Sequence, residues 1–445
     1  MNYLKNLNTF RAFQSRNYRL YFAGQSVSLI GTWMQRTAVY WVIFSETHSP
    51  FMLGLTAFAT QFPSFALSLW GGVVSDRYNR YKVLLTTQIA SLIQAVLLTV
   101  LIIVDPSAVW AILGISVVLG IINAFDVPAR QSLVYEMIER KQDLPNALAL
   151  NSSMVNLARL IGPAVAGIVL EKFGESFCFG LNAFSFIAVI TSLLMMRLPV
   201  YIQKEHPKKI SRDLKEGFSY LKQTPSIAVV ILMLACMSFF VLPFTTLLPV
   251  YAKVIFEGGA STFGFLNSFI GIGAISGAMF LASQKSGSDL KKILIINTVI
   301  FGAGLIIFSH MTNLPFALLF AAITGFGMMS QTTISNTLIQ TRVIPEMRGR
   351  VLSYFVMAFF GMQPLGALLI GTVSQYIGTP NTILAEGIAA IVILIIFLPY
   401  LRKDRIRTKE KSVLENAPVE IDSAPEELAL EEQIIKGNAG KIKAA

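Results

Sequence analysis

The chain has 445 residues, of which 54% are hydrophobic and 14% charged, with a formal net charge of +11 and a mean hydropathy of +0.62. A soluble globular chain carries nearer a quarter charged residues, so this composition excludes a soluble fold and reads as an all-α polytopic membrane protein. Two cysteines inside apolar blocks, three histidines in loops and no HExxH, GxxxxGK[ST] or Ser/His/Asp set argue against a disulfide frame, a metal centre, an ATP-driven pump or an integral hydrolase. No enzyme activity and no cofactor are expected.

In chain order, a polar, basic start (Met1 to Arg19) shows no cleavage site and leads into an apolar block at 20–44, read as a span rather than a signal peptide. Further blocks follow at 51–72, 82–104, 107–128, 147–170 and 177–197. After a long polar connection come six more, at 226–251, 260–283, 291–311, 315–337, 351–374 and 381–400. Each is near the ~20 residues a helix needs to cross a bilayer. Backbone groups in hydrocarbon must satisfy one another, so twelve transmembrane helices are expected. The blocks are too long and too continuously apolar for a barrel.

The connections alternate in charge. "SETHSP" (45–50), "DPSA" (105–108), "GES" (174–176) and "GTPNT" (378–382) carry no Lys or Arg, whereas the others do, Lys172 and Lys253 being the exceptions to the pattern. Basic loops stay cytoplasmic, which puts both termini and the long connection inside. The basic excess is therefore topological, and no nucleic-acid partner is expected.

The expected organisation is a first six-helix unit (1–197), a cytoplasmic linker (198–225), a second six-helix unit (226–401) and a tail (402–445). In the linker, "DLKEGFSYLKQTP" (213–225) reads as an amphipathic helix lying on the membrane face. The tail is acid-rich after one basic cluster and reads as largely disordered. The two units repeat: Leu53-Gly54-Leu55 lies over Phe263-Gly264-Phe265, Lys82 over Lys292, Gly162 over Gly366 and Gly167 over Gly371. Two pseudo-symmetric bundles facing each other across a central cavity are a transporter plan.

The loop between the second and third spans, "GGVVSDRYNRYK" (71–82), resembles the signature G-x-x-x-D-R-x-x-R-x-K of the major facilitator superfamily, with Gly72, Asp76, Arg77, Arg80 and Lys82 in its places. Asn79 stands where the family has glycine and tolerates a left-handed backbone. The second copy, "ASQKSGSDLKK" (282–292), keeps Lys292 but has Ser286 in place of the acid. "SLIGTWMQRTAVYWVIF", "NAFDVPARQSLVYEMI", "GPAVAG" and "VIPEMRGRVLSY" are similar to the bacterial efflux branch that includes enterobactin exporters and macrolide-efflux proteins. The resemblance implies a secondary transporter of a bacterial cytoplasmic (inner) membrane. It would export a small amphipathic molecule, siderophore- or drug-like, by alternating access. A solute importer, or a non-transporting sensor on the same fold, is the alternative.

The resemblance also implies a gate. Gly72 would let two helices approach closely. Asp76 would hold the outward-facing state at the start of the eleventh span, near Arg350–Tyr354, where a helix dipole favours a carboxylate by about 0.3–1 kcal/mol. Asp126 is expected to partner Arg80. The plainer reading of the bases, Arg77 and Arg80 among them, is that they only set topology. Inside the membrane, Gln25, Ser28, Thr32 and Arg36 share one helix face, extended by Tyr21 and Tyr40, while Ser152, Asn156 and Arg159 share another.

Intramembrane charge is costly, so two such stripes suggest a pocket for an anionic or acceptor-rich ligand. Interhelical hydrogen bonding, with Arg159 tied to carbonyls at a Gly162–Pro163 helix break, is the alternative. Gln331, Thr332, Asn336, Tyr354 and Gln363, with Met233, Met237, Phe240 and Phe244, are the candidates opposite. With no nucleotide motif a proton gradient is the expected drive, and Glu386 in the twelfth span is the coupling candidate. Protons, the substrate and lipid are the expected partners of a monomer.

Overall fold

Three of the helices begin at a residue whose side chain caps them. In the computed structural model, which describes residues 8–198, 210–285 and 288–415, α1 (Arg16–Thr47) stops at His48 in the left-handed region, φ 50°. Ser49 then accepts the Met52 N–H to cap α2 (Pro50–Arg77), whose first residue is proline. Asn79 caps α3 (Arg80–Val104) by accepting the Lys82 N–H, with φ −60°. The left-handed backbone expected at Asn79 is therefore not used: its side chain replaces the missing helical acceptor.

The first half continues with α4 (Val109–Met137), α5 (Leu144–Phe173) and α6 (Glu175–Leu194). A helix, α7 (Ile210–Gln223), lies in the connection close to where the amphipathic pattern put it. The second half holds α8 (Pro225–Ile255), α9 (Ala260–Ala282), α10 (Leu290–Ser309), α11 (Leu314–Arg342), α12 (Pro345–Ile377) and α13 (Thr379–Glu415). Among the described residues, eleven helices are long and apolar enough to cross a membrane. The twelfth span is α1, 32 residues long, whose apolarity is diluted by the polar face it turns inward. The acidic end of the tail, linker residues 199–209 and Ser286 lie outside the described residues.

The repeat seen in the sequence is also a repeat of contacts. A Cβ placed on Gly54 would lie 3.2 Å from the Cα of Gly371, and one on Gly264 would lie 3.2 Å from the Cα of Gly167. The α2–α12 contact thus has a twin in α9–α5, built from residues that the duplication relates pairwise. The same symmetry gives Gly174 and Gly378, both at positive φ (83° and 82°), as the stops of α5 and α12. It also places Asp289, which accepts the Lys292 N–H at the head of α10, opposite Asn79. This is the major facilitator fold, two six-helix bundles related by a pseudo-twofold axis.

Close contacts between the two halves gather at one end. At the end whose loops lack Lys and Arg, here the neutral end, Ser49 donates to Gln375 Oε1 at 2.9 Å and Ser261 N–H donates to Glu171 Oε2 at 3.1 Å. Trp41 stacks on Phe263 with centroids 6.3 Å apart, and Ala260 of the second half joins the apolar cluster of the first. Close approaches reach inward to Phe65 against Gly361 and Leu160 against Gly271. Towards the opposite, basic end, a Cβ on Gly72 or Gly349 would meet nothing within 4 Å. Gly72 is therefore not the close-packing glycine expected of it. Its neighbour Gly71 is, wedged against the Ala124 carbonyl of α4.

Candidate functional site

Between the halves lies a cavity of about 370 Å³, within the ~300–1,000 Å³ usual for small-molecule sites. One face of α1 supplies Trp33, Arg36, Thr37 and Tyr40, and one face of α5 supplies Asn156, Arg159 and Pro163. Gly162 lets the two helices touch, because a Cβ there would collide with the Trp33 side chain. The result is a shared aromatic: the guanidinium carbons of Arg36 and Arg159 lie 5.2 and 5.7 Å from the Trp33 ring centroid. Each cation over a ring face is worth about 0.5–1 kcal/mol at exposed sites and about 2 when desolvated.

The opposite wall is built by irregular backbone. In α8 a 3-10 segment, Leu242–Leu247, presents Thr245 and Thr246, and in α12 a π-turn, Met357–Gly361, presents Phe359 and Phe360. Such π-turns re-aim side chains that a regular helix would hide. Met328, Met329 and Thr332 of α11, Asn267 of α9 and Gln363 of α12 complete it.

Of the candidates from the sequence, Arg36, Asn156, Arg159, Thr332 and Gln363 face this cavity, and Tyr40 with them. Gln25 (2% exposed) and Gln331 (0%) do not: both are packed inside their bundles. Thr32 turns its hydroxyl back to the Ser28 carbonyl at 2.8 Å. Tyr21 is buried and donates to Asn151. The face of α1 carrying Gln35 is structural, since Gln35 bonds Gln94 and Asn182 in a buried amide chain.

Met233, Met237 and Phe244 are core residues, at 1% exposure or less; the sulfur and aromatic surface comes from Met328, Met329, Phe359 and Phe360. The helix break is absent too. α5 runs unbroken through Pro163, as transmembrane helices allow when neighbours cover the freed carbonyl, and Gly162 serves close packing.

The charges of the loop signature are rearranged relative to expectation. Arg80 pairs with Glu136 of α4 at 2.8 Å and lies 3.8 Å from Asp76. Asp126 is not its partner. Only 4% exposed, Asp126 accepts from Thr87 (2.9 Å) and Gln88 (2.6 Å) and pairs with Arg130 at 3.4 Å. Asp76 and Arg77 stand exposed at the end of α2. At the start of α12, Arg350 pairs with Glu216 of α7 at 2.9 Å. Glu386 is 1% exposed, and neither of its oxygens has a hydrogen-bond partner.

Trp33, Glu136 and Glu216 were not singled out from the sequence. Trp33 was the findable one, since it lies one turn before Arg36.

The comparisons with known proteins agree with this architecture. The family profile described as transmembrane secretion effector matches residues 7–434. The chain is 26% identical to the staphyloferrin A transporter of Staphylococcus aureus (strain NCTC 8325 / PS 47) over 88% of its own length and 98% of the relative's. It is 23% identical to macrolide efflux protein A of Streptococcus pyogenes (85% and 96%) and 26% identical to the enterobactin exporter EntS of Escherichia coli O6:K15:H31 (86% and 91%). Among solved structures, a POT family transporter in complex with 5-aminolevulinic acid superposes with a TM-score of 0.69 at 14% identity, over 87% of this chain and 96% of that one. A bacterial homolog of the lysosomal transporter Spinster, inward-facing and unoccupied, gives 0.64 at 14% identity, over 87% and 97%.

Proposed function

Because the chain belongs to the transmembrane secretion effector family, in the efflux branch of the major facilitator superfamily, we propose that it carries a small amphipathic molecule out of the cytoplasm by alternating access with proton antiport. It is a multi-pass membrane transporter and not an enzyme. The single observation that carries the mechanism is the one-ended closure around the cavity. The halves touch at the neutral end through Gly54–Gly371 and Gly167–Gly264, while a Cβ on Gly72 or Gly349 would meet nothing within 4 Å. The alternation of loop charge supports a cytoplasmic basic end, with both termini inside and the resting state open inward. The names of the relatives support a siderophore- or drug-like cargo.

In this reading Asp76 is the latch of the other state. When the basic end closes, α2 meets α12, and the carboxylate is favoured by the positive end of that helix. Gly72, Arg77 and Arg80 belong to the same closing surface, and Asp126 braces it through Arg130. Glu386 is the group to which we assign the proton: an ionised carboxylate buried without partners is costly, and an exchangeable proton relieves that cost. The chain works as a monomer, with its cavity complete within one copy.

Everted vesicles test the reading. Asp76→Asn should insert and fold yet lose most transport, and normal flux by that variant removes the latch. Flux indifferent to an uncoupler removes the proton.

A further inference from the structure

The cavity is electrically one-sided. Both charged side chains on its wall, Arg36 and Arg159, come from the first half, and the second half offers Met328, Met329, Phe359 and Phe360 with the amides of Asn267 and Gln363. Among the described residues, no carboxylate lies in ion-pair range of either guanidinium. Their common neighbour is Trp33. A ring face holds a guanidinium by its plane and leaves the N–H fork at the edge free for a planar oxyanion. Each cation lies within 5.7 Å of one ring centroid, so the two are separated by at most twice that distance. One ligand can therefore span them. A cationic cargo would meet two like charges with no acid to offset them, which selects against it.

We propose that the cargo is an amphipathic polyanion, with two oxyanion groups on Arg36 and Arg159 and an apolar or aromatic body against the second-half wall. The inference names the substrate class of the transport reading above and rests on that reading only for the ligand's being cargo.

Binding separates the two. The full chain in nanodiscs is titrated with N-benzoylglutamate, its dimethyl ester and benzyltrimethylammonium, with ligand-induced thermal stabilisation as the readout. The diacid should bind about tenfold or more tighter than the diester, and the margin should shrink as salt is raised. Arg36→Gln with Arg159→Gln should abolish the margin. The double lysine variant keeps the charges and should retain part of it, which distinguishes lost charge from lost fold.

Equal binding of diacid and diester, or preference for the ammonium ion, overturns the inference, as does a folded double glutamine variant that keeps the acid preference. If the acid preference appears but everted vesicles accumulate none of the diacid, the two-arginine oxyanion site stands, and the ligand's role as cargo falls with the transport reading. If acid and ester bind alike while another compound shows Asp76-dependent flux, the inference falls alone.

Discussion

Asp126 sits at 4% exposure with two hydrogen-bond donors and an arginine around its carboxylate, while Arg80 and Glu136 form their pair with side chains 28% and 24% exposed. The two sites should respond differently to the loss of charge. Asp126→Leu strands Arg130 and Gln88 together, Thr87 keeping the Leu84 carbonyl as acceptor, and should cost about 3–5 kcal/mol, the range for breaking a buried pair. Glu136→Gln should cost less, about 1 kcal/mol, since water still reaches the pair. Thermal unfolding in detergent, run on both variants, checks the order.

Trp33→Leu removes two cation–π contacts at once. It should lower stability by about 1–2 kcal/mol, with Trp110→Leu, at a 73%-exposed site, as the neutral control. At this scale the sequence was partly legible. A cation in an apolar block is conspicuous, so Arg36 and Arg159 could be found. An aromatic in the same block carries no charge to mark it, so only its place one turn before Arg36 pointed to Trp33. Partner choice was misread because it depends on helix rotation: Arg80 opens α3 beside Glu136, near the last turn of α4, and Asp126 lies deeper on that helix.

Helices α8 and α12 show what hydropathy leaves out. Their lengths and apolarity were plain in the sequence, but the 3-10 and π segments at Leu242–Leu247 and Met357–Gly361 arise from packing. Those segments bring Thr245, Thr246, Phe359 and Phe360 to the cavity, in place of the candidates Met233 and Met237. The repeated glycines were legible, whereas their pairing across the halves needed the assembled bundle.

The linker helix α7 adds a contact that no pattern foretold. A Cβ on Gly217 would lie 3.2 Å from the Cβ of Arg350, near the distance spanned by a disulfide, and Phe218 lies against Tyr354. In a chain freed of Cys178 and Cys236, the pair Gly217→Cys with Arg350→Cys should cross-link readily on mild oxidation. If α7 rides with α12, the bridge leaves transport intact. If α7 must release α12 for the basic end to close, the bridge stops transport, and reduction restores it.

Across the whole molecule, the proposed closure at one end and opening at the other predict coupled behaviour at a distance. Single cysteines at Gly72 and Gly349 should react with a bulky charged maleimide in the resting protein. Adding Gly54→Val, whose side chain has no room against Ala367 and Gly371, should push the neutral end apart and protect both cysteines severalfold if the halves move as rigid bodies. Unchanged labelling would mean that the ends open independently.

The two uncompensated arginines of the cavity have an electrical consequence as well. With the proposed polyanionic cargo, a loaded carrier would have its cations neutralised, whereas an emptied one would swing back with them bare. Since moving a unit charge through the full membrane potential is worth about 2.3 kcal/mol per 100 mV, an inside-negative voltage pulls the vacant carrier towards the cytoplasm. Recovery, rather than delivery, becomes the voltage-sensitive half of the cycle, and turnover should quicken as the membrane is hyperpolarised.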